Sequence, residues 1–288
     1  MGRLVVVGTP IGNLGDLSPR AASALRDADL VVAEDTRVAA RLLAHIGQRR
    51  PTRSFTEHNA GERLPELVAR LAAGDTLALT TDAGMPAVSD PGARLVRAAR
   101  DGGHEVVVVP GPTAVTAAMA LAGEEAPGFV FGGFLPARPA SARGSALHRL
   151  LAAAGSTGLP LVVYEAPPRV RALLGALAER VPDARVALAR ETTKRHEEVL
   201  AGTPAEVAAA LRELRGEFTV VIANIQAARE PAGEVVDAAA LARAAAAQGL
   251  SARTTVELLR ASGIGRREAY ALAEAASDTA DKPRVSDR

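Results

Sequence analysis

The sequence of 288 residues contains no cysteine and no tryptophan, and aromatic residues make up only 2% of it. The absence of cysteine excludes disulfides, thiolate nucleophiles and cysteine-ligated zinc, and it agrees with a reducing compartment. Because aromatic side chains are so scarce, the cores must consist of Leu, Val, Ile and Ala, and base stacking cannot be a main binding mode. No H-E-x-x-H or G-x-S-x-G pattern occurs, so no zinc site or serine hydrolase of those types is expected.

Long apolar runs are absent as well. The N-terminal run MGRLVVVG is too short for a signal peptide or a membrane span, and no later apolar run is long enough for either. We therefore expect a cytoplasmic protein without a membrane anchor. The formal net charge of +1 argues against a basic coat over the whole surface, but it leaves room for a local basic face.

What the sequence does contain is an alternation of short apolar runs with longer stretches of helical spacing. This order predicts an α/β fold, with helices on both faces of each sheet. Ser18-Pro19, Asp90-Pro91 and Thr203-Pro204 each place a capping side chain before a proline that starts a helix. The predicted strands span residues 3–7, 29–33, 76–80, 105–109, 129–132, 159–164, 184–189 and 219–224.

Two breaks in this alternation predict three parts. The segment GEEAPG at 123–128 interrupts the pattern, and EPAG at 230–233 is typical of a linker. We expect an N-terminal α/β domain over 1–123, a second α/β domain over 124–230, and a small helical module over 234–277. Within that module, helical spacing occurs at 238–248, 254–262 and 267–276.

Three loops follow predicted strands, where α/β sheets bind their ligands. The first, at 8–16, has three glycines but matches neither a dinucleotide-binding nor a phosphate-binding motif. The second, at 81–92, is long and polar, and its Asp90 fits a helix cap. Asp82 in the same loop has no evident structural task, so it is a candidate for binding a ligand hydroxyl or amine. The third, at 110–114, is small enough for a flat ligand to lie against its backbone.

Charged residues gather at further strand ends and in two acid-free tracts. Acids and cations follow predicted strands at 34–37, 164–165 and 190–194, where each group is either a surface ion pair or part of a site. No acid occurs between Thr36 and Thr56 or between Ala126 and Tyr164, although both tracts carry Arg and His. Such tracts are either solvated faces or a surface that contacts a phosphate backbone.

Seven motifs, in order, resemble one family. They are TPIGNL at 9–14, AEDTR at 33–37, the loop from DAG at 82–84 to DPG at 90–92, PGP at 110–112, GFLP at 133–136, YE at 164–165 and ARETTK at 189–194. Through them the chain resembles the tetrapyrrole methylase superfamily, and within it the branch of cytidine 2′-O-methyltransferases that act on small-subunit ribosomal RNA. The likeness covers about residues 3–225 closely and the helical module only loosely.

The resemblance implies two α/β domains of tetrapyrrole-methylase type with S-adenosyl-L-methionine in the cleft between them, and a homodimer. The positions it implies for the cofactor are Pro10, Asp82, Ala83, Gly84, Met85, Thr113, Ala114, Tyr164, Arg190 and Glu217. One departure is that Pro168 stands where the family often has His before Arg169. No essential proton transfer is therefore assigned to that position.

A ribose hydroxyl is a weak nucleophile and needs a base or an acceptor nearby. The predicted catalytic residues are Asp35 and Glu191 first, then Glu34 and Glu165, with Lys194 balancing the acids. No metal is predicted. Small-subunit ribosomal RNA, free or in the assembled 30S subunit, is the predicted partner. The residues predicted to contact it are Arg37, Arg41, Arg49, Arg50, Arg138, Arg143, Arg149 and Arg169.

Two alternatives stay open from the sequence. One is a precorrin methyltransferase, which would use the same fold on a tetrapyrrole carbon. The other is an RNA-binding protein that keeps the methylase fold without catalysis.

Overall fold

The computed structural model describes residues 1–88, 92–225, 238–248, 250–262 and 264–280. Within these ranges the chain forms two compact units, Met1–Glu230 and Pro231–Arg288. The first unit holds two five-stranded sheets, and the described residues of the second form helices alone. Among the helices of the described ranges, none is long and apolar enough to cross a membrane.

The first sheet is parallel throughout, with the strand order β3-β2-β4-β1-β5. Three of its strands, Arg3–Val7, Leu30–Ala33 and Thr76–Leu79, are almost continuously apolar because helices cover both faces of the sheet. Leu4 and Leu77 lie in the core on one face, and Val5 and Ala78 lie in the core on the other. Its strands are β1 (Arg3–Val7), β2 (Leu30–Ala33), β3 (Thr52–Ser54), β4 (Thr76–Leu79) and β5 (Glu105–Val109).

The helices of this half follow the strands in alternation. Ser18 caps the first helix through a hydrogen bond that its side chain accepts from the Ala21 backbone N–H, and Pro19 starts that helix, as predicted. The Asp90-Pro91 cap lies outside the described residues. The helices are α1 (Pro19–Asp27), α2 (Thr36–His45), α3 (Ala60–Ala72) and α4 (Gly92–Asp101).

The second sheet is mixed, with the order β6-β7-β10-β8-β9. Only β6 and β7 are parallel, and the other pairs are antiparallel. A short connection at 191–197 between β8 and β9 allows antiparallel pairing, whereas parallel pairing needs a long crossover. Its strands are β6 (Val130–Phe134), β7 (Leu161–Glu165), β8 (Arg185–Arg190), β9 (Glu198–Gly202) and β10 (Phe218–Ala223).

Helix α5 (Ala114–Ala122) follows the first sheet along the chain but packs against the second. Val115 and Ala118 lie in one core with Val162, Ala187 and Val221 of the second sheet. The domain boundary after Gly123 stays a prediction, but the change of packing partner already occurs at the turn before α5. That turn therefore ties the two sheets into one unit.

On the second sheet, the other face is covered by helices that share a large aliphatic core. Leu174 and Leu177 in this core are completely buried. Thr203 and Glu206 form a capping box at the start of the last of these helices, which begins with Pro204 as predicted. The helices are α6 (Ala140–Thr157), α7 (Val170–Arg180) and α8 (Pro204–Ala210).

Strands β3 and β9 are absent from the sequence prediction. Both are edge strands, and neither contains a run of buried residues; β9 alternates between half-buried and exposed positions. A short edge strand with few apolar residues shows no clear apolar periodicity. Its sequence therefore cannot be distinguished from that of a polar loop. The other eight strands agree with the predicted ranges to within two residues.

The second unit consists of three helices, α9 (Ala238–Ala247), α10 (Ala252–Ala261) and α11 (Arg266–Ala280). They share a small core of Ala242, Val256, Leu259, Ala269, Ala273 and Ala276. The three predicted helical stretches correspond to these helices. The predicted linker at 230–233 lies outside the described residues.

Candidate functional site

A cavity of about 480 Å³ lies in the first unit, between the edges of its two sheets. From the first sheet it is lined by the loops after β1, β2, β4 and β5, which are the carboxyl ends of parallel strands. From the second sheet it is lined by the ends of β6 and β7 and by the start of the antiparallel β10. These three lie at the same end of that sheet. The volume is in the range of small-molecule sites.

Two of the loops that reach this cavity depend on glycine for their close approach. A Cβ on Gly8 would lie 2.5 Å from the backbone N of Gly111, and one on Gly111 would lie 2.8 Å from the Gly8 carbonyl carbon, so no side chain fits at either position. Thr9, next to Gly8, joins this loop to the loop after β4. Its hydroxyl lies 3.2 Å from the Thr81 carbonyl oxygen, and its backbone pairs with Gly84. Three loops are therefore held side by side.

Three acids at the ends of β2 and β4 have different tasks. Asp82 accepts a hydrogen bond of 3.0 Å from the Asp35 backbone N–H, which ties the two loops together, so the expectation that Asp82 has no structural task is wrong. Asp35 caps α2 and pairs with Arg37 at 2.6 Å. Glu34 lies on the cavity wall, with its carboxylate 3.5 Å from the Thr81 hydroxyl.

The partnership with Arg37 changes the acidity of Asp35. Hydrogen bonds from the Arg37 side chain and backbone lower the pKa of Asp35 from its ordinary 3.8 to about 2. A carboxylate of such low basicity is a weak proton acceptor near neutral pH, since efficient general bases have a pKa close to the working pH. Asp35 is not among the residues that line the cavity.

On the second sheet, Tyr164 and Glu165 end strand β7. Tyr164 lines the cavity, and burial raises the pKa of its phenol, so the ring stays neutral. The Glu165 side chain is completely buried, and its Oε1 accepts hydrogen bonds from Arg169 Nε at 2.6 Å and from the Ala166 backbone at 2.8 Å. Arg169 is thus engaged inside the protein by the acid that stands four residues before it.

Glu191 and Lys194 stabilise the turn at Gly216 and Glu217, which forms the remaining wall of the cavity. Lys194 Nζ lies 2.8 Å from Glu191 and 3.2 Å from Glu217, and the Glu217 backbone N–H donates to Glu191 at 3.1 Å. Partial burial would raise the pKa of Glu191, but the hydrogen bonds from Lys194 and Glu217 outweigh it and lower that pKa. The same two acids outweigh burial at Lys194 and raise its pKa.

The loop that carries Glu191 and Lys194 also contacts the loop after β1 of the first sheet. The Asn13 backbone N–H donates to the Thr193 hydroxyl at 3.1 Å, and Gly12 lies against the Lys194 side chain. Glu191 and Thr193 adopt positive φ angles of 52° and 68°, which residues with side chains rarely do. Such backbone is typical of functional sites, where the surrounding structure must stabilise it.

Most of the predicted cofactor residues are brought together. The cavity is lined by Asp82, Ala83, Gly84, Met85, Thr113, Ala114, Tyr164 and Glu217. Pro10 is buried beside it, and Arg190 instead pairs with Glu198 and lines a second pocket of about 300 Å³ together with Glu191. Of the predicted catalytic residues, Glu34 and Glu165 line the main cavity, whereas Asp35, Glu191 and Lys194 do not.

Several lining residues have no place in the sequence prediction. Ile11, Phe134, Phe218 and Thr219 are apolar or hydroxyl residues with no charge to single them out. Two of them lie in motifs of the sequence analysis, Ile11 in TPIGNL at 9–14 and Phe134 in GFLP at 133–136. Ile11 and Phe218 are almost completely buried, so a pattern assigns them to the core.

The predicted RNA-contacting arginines are distributed over both sheets. Arg37 and Arg41 are exposed on one face of α2, along with His45, as their four-residue spacing predicts. Arg49, Arg138 and Arg149 are exposed, while Arg50, Arg143 and Arg169 are partly buried. In the described ranges no group of three or more His, Asp or Glu side chains could hold a metal ion.

Comparisons with known proteins agree with this architecture. The family model of the tetrapyrrole (corrin/porphyrin) methylases matches residues 3–208. A ribosomal RNA small subunit methyltransferase I from Xylella fastidiosa is 45% identical over 77% of this chain and 81% of its own. One from Synechocystis is 38% identical over 94% of this chain and 97% of its own.

A solved structure resembles the fold. It is uroporphyrin-III C-methyltransferase from Thermus thermophilus complexed with S-adenyl homocysteine, with a TM-score of 0.56 and 20% identity. The likeness covers 78% of this chain and 98% of that one. At this identity it supports the fold alone.

The turn at Gly216 generates a test of the second wall. Gly216 has a φ of +94°, and a Cβ there would overlap the Glu191 carboxylate. We expect Gly216→Ala to lower the free energy of unfolding by about 1–3 kcal/mol, because it adds backbone strain and displaces Glu191 from Lys194. Urea denaturation measures the change.

Gly175→Ala is the matched control, because Gly175 lies inside α7 with no atom near its added Cβ. This substitution should raise the free energy of unfolding by about 0.5–1 kcal/mol. Equal midpoints for Gly216→Ala and the wild type would show that the turn does not need glycine.

Proposed function

The chain belongs to the tetrapyrrole methylase family and is a methyltransferase, and from this premise we propose that it methylates the ribose 2′-hydroxyl of a cytidine in small-subunit (16S) ribosomal RNA. The likeness in sequence to ribosomal RNA methyltransferases, which extends through both sheets, carries the proposal. Fold alone does not decide it, because enzymes named for tetrapyrrole substrates have the same fold. The methyl donor is S-adenosyl-L-methionine.

The cavity fits this donor in size and chemistry. Its volume of about 480 Å³ suits a molecule of that size. Its small residues Ala83, Gly84 and Ala114 allow close approach to the backbone, while Asp82 and Glu217 supply carboxylate acceptors at its edge. The donor carries an ammonium group, an amine and ribose hydroxyls, all of which donate hydrogen bonds. We propose that these residues, with Met85, Thr113 and Tyr164, hold it.

When bound, S-adenosyl-L-methionine supplies a methyl group that its sulfonium already activates. The task of the chain is therefore to hold the acceptor oxygen in line and to exclude competing water. Loops from two sheets that enclose one cavity suit this task, because a nucleotide entering between them meets both walls. The contact of Asn13 with Thr193 fixes the spacing of those walls on one side.

We assign the proton acceptor to Glu34. It is a predicted acid that lines the cavity, and it lies at the carboxyl end of β2 in the first wall. Asp35 and Glu191 do not line the cavity: Asp35 caps α2 and pairs with Arg37, and Glu191 pairs with Lys194 and accepts a hydrogen bond from the Glu217 backbone. In this proposal those two acids position the walls, and Lys194 balances their charge.

The arginines of the two acid-free tracts are proposed to bind the phosphate backbone. Arg41, Arg49, Arg138 and Arg149 are exposed. Exposed arginine side chains neutralise phosphates without reading sequence. We propose ribosomal RNA, free or within the 30S subunit, as the partner, and the cytoplasm as its location.

A homodimer is also proposed, with the edge strand β5 in its interface. Val108 on this strand is 54% exposed, although it lies in a run of four valines. The strand is at the edge of its sheet, and α5, which follows it, packs on the other sheet. An exposed apolar edge strand favours association with another chain.

The substrate is tested by transfer of labelled methyl from S-adenosyl-L-methionine to purified small subunits that lack the modification. We expect label on a single cytidine 2′-oxygen, located by mass spectrometry of nuclease fragments. Absence of label, with binding of S-adenosylhomocysteine demonstrated, would contradict the proposal. Changes in the Soret band on adding a tetrapyrrole would then favour the precorrin alternative, and RNA binding without binding of the methyl donor would favour the non-catalytic one.

The acceptor is tested by Glu34→Gln, which removes the charge and keeps the shape. We expect kcat to fall by about 10²-fold to 10⁴-fold, with binding of S-adenosylhomocysteine retained. Asp35→Asn is the comparison, because asparagine still caps a helix, and it should lose much less. If Asp35→Asn removes activity and Glu34→Gln does not, the assignment to Glu34 is wrong.

The dimer is tested by Val108→Lys, which places a charge in the proposed interface. Light scattering should show the mass of a dimer for the wild type and of a monomer for the variant. Val199→Lys is the control, because Val199 is 37% exposed on β9, the edge strand of the other sheet. A dimeric Val108→Lys protein would place the interface elsewhere.

A further inference from the structure

Phe134 is an exposed aromatic ring at the mouth of the cavity. It is 58% exposed, which is the highest value among the described aromatic residues, whereas Phe55 and Phe218 are 2% exposed. It also lines the cavity. Leaving a phenylalanine in water forgoes the stabilisation that its burial would give, so an exposed ring at a cavity invites a ligand that covers it.

The backbone directs this ring outward. The pairing of β6 with β7 shifts register between Phe131 and Gly133, and Gly133 has a φ of +60°. Such irregularities re-aim the side chains that follow them, and they are frequent beside active sites. Because residues with a Cβ rarely adopt this angle, the glycine before Phe134 is suited to this turn of the strand.

The ring of Phe134 also packs against a second aromatic ring, that of Tyr164. Its centroid lies 5.3 Å from that of Tyr164, with 52° between the planes, and the rings of Tyr164 and Phe131 form a T-shaped pair with centroids 5.2 Å apart. These spacings are those of favourable aromatic pairs. Phe134 is therefore supported by Tyr164 while most of its surface stays open, as a stacking platform requires.

We infer that Phe134 stacks on the base of the target nucleotide, an inference that rests on the proposed function. A nucleotide drawn into the cavity leaves the stack of its RNA, and the displaced base then needs a new stacking partner. An aromatic ring provides one, because every base has a flat π-face. The ring lies at the open mouth, where a group enters and leaves in each turnover.

The charges that follow Phe134 suit the flanking phosphates. The chain continues from β6 into the acid-free tract, in which Arg138 and Arg149 are exposed. Arg138 stands four residues after Phe134, so we assign it to a phosphate beside the base on Phe134. An aromatic ring together with cations that contact the backbone is typical of sites for single-stranded nucleic acid.

The experiment compares Phe134→Leu, Phe134→Tyr and the wild type in methyl transfer to small subunits that lack the modification. For Phe134→Leu we expect kcat/KM to fall by about 5-fold to 100-fold, with the dissociation constant of S-adenosylhomocysteine, measured by calorimetry, unchanged. Phe134→Tyr should restore activity, because stacking needs a flat ring and not merely an apolar side chain.

Phe129→Leu is the matched control, because Phe129 is another exposed phenylalanine, at the opposite end of β6 and away from the cavity. It should behave like the wild type. Equal loss of S-adenosylhomocysteine binding and of transfer in Phe134→Leu would assign the ring to the methyl donor and overturn the inference. Full activity of Phe134→Leu would overturn it as well.

The wild-type reaction separates this inference from the proposed function. If the wild type labels the subunits and Phe134→Leu does so equally well, only the stacking is wrong. If the wild type labels no RNA, the proposed function fails and the stacking inference fails with it.

Discussion

The contact of two backbones at Gly8 and Gly111 is the constraint on which the site depends. At this point the loops after β1 and β5 approach so closely that a Cβ on either glycine would meet the other backbone. Neighbouring strands of a parallel sheet have their carboxyl ends side by side, so the loops that follow them lie close together. Without side chains the two loops can lie against each other, and Ile11 and Thr113, which follow these glycines in the chain, line the cavity.

The second wall is built by a different principle. It comes from a mixed sheet, whose antiparallel β10 begins at the edge where β7 ends, so that Gly216 and Tyr164 reach the same cavity. Its turn has positive φ angles at Glu191 and Thr193. The cost of this backbone is offset by the hydrogen bonds that join Glu191, Lys194 and Glu217. The two walls meet at Asn13 and Thr193.

Acidic residues illustrate how one residue type serves several purposes within a small region. Asp35 caps a helix, Asp82 joins two loops, and Glu165 holds Arg169 from a fully buried position. Glu34 stands next to Asp35 in sequence but lies on the cavity wall. Adjacent side chains point in different directions at the end of a strand, so neighbours in the chain reach different surroundings. Our proposal for the proton acceptor follows from that difference.

The sequence by itself determined the fold class, eight of the ten strands of the described ranges and the loops that form the cavity. Apolar runs and glycine-rich turns depend on local conformation and burial, which a one-dimensional pattern records. Only the tertiary structure decided that β3 and β9 are strands, that the second sheet is mixed, and that α5 packs on it. It also separated Glu34 from Asp35 and placed Phe134 at the cavity mouth. These features depend on contacts between residues distant in the chain, and no local pattern carries that information.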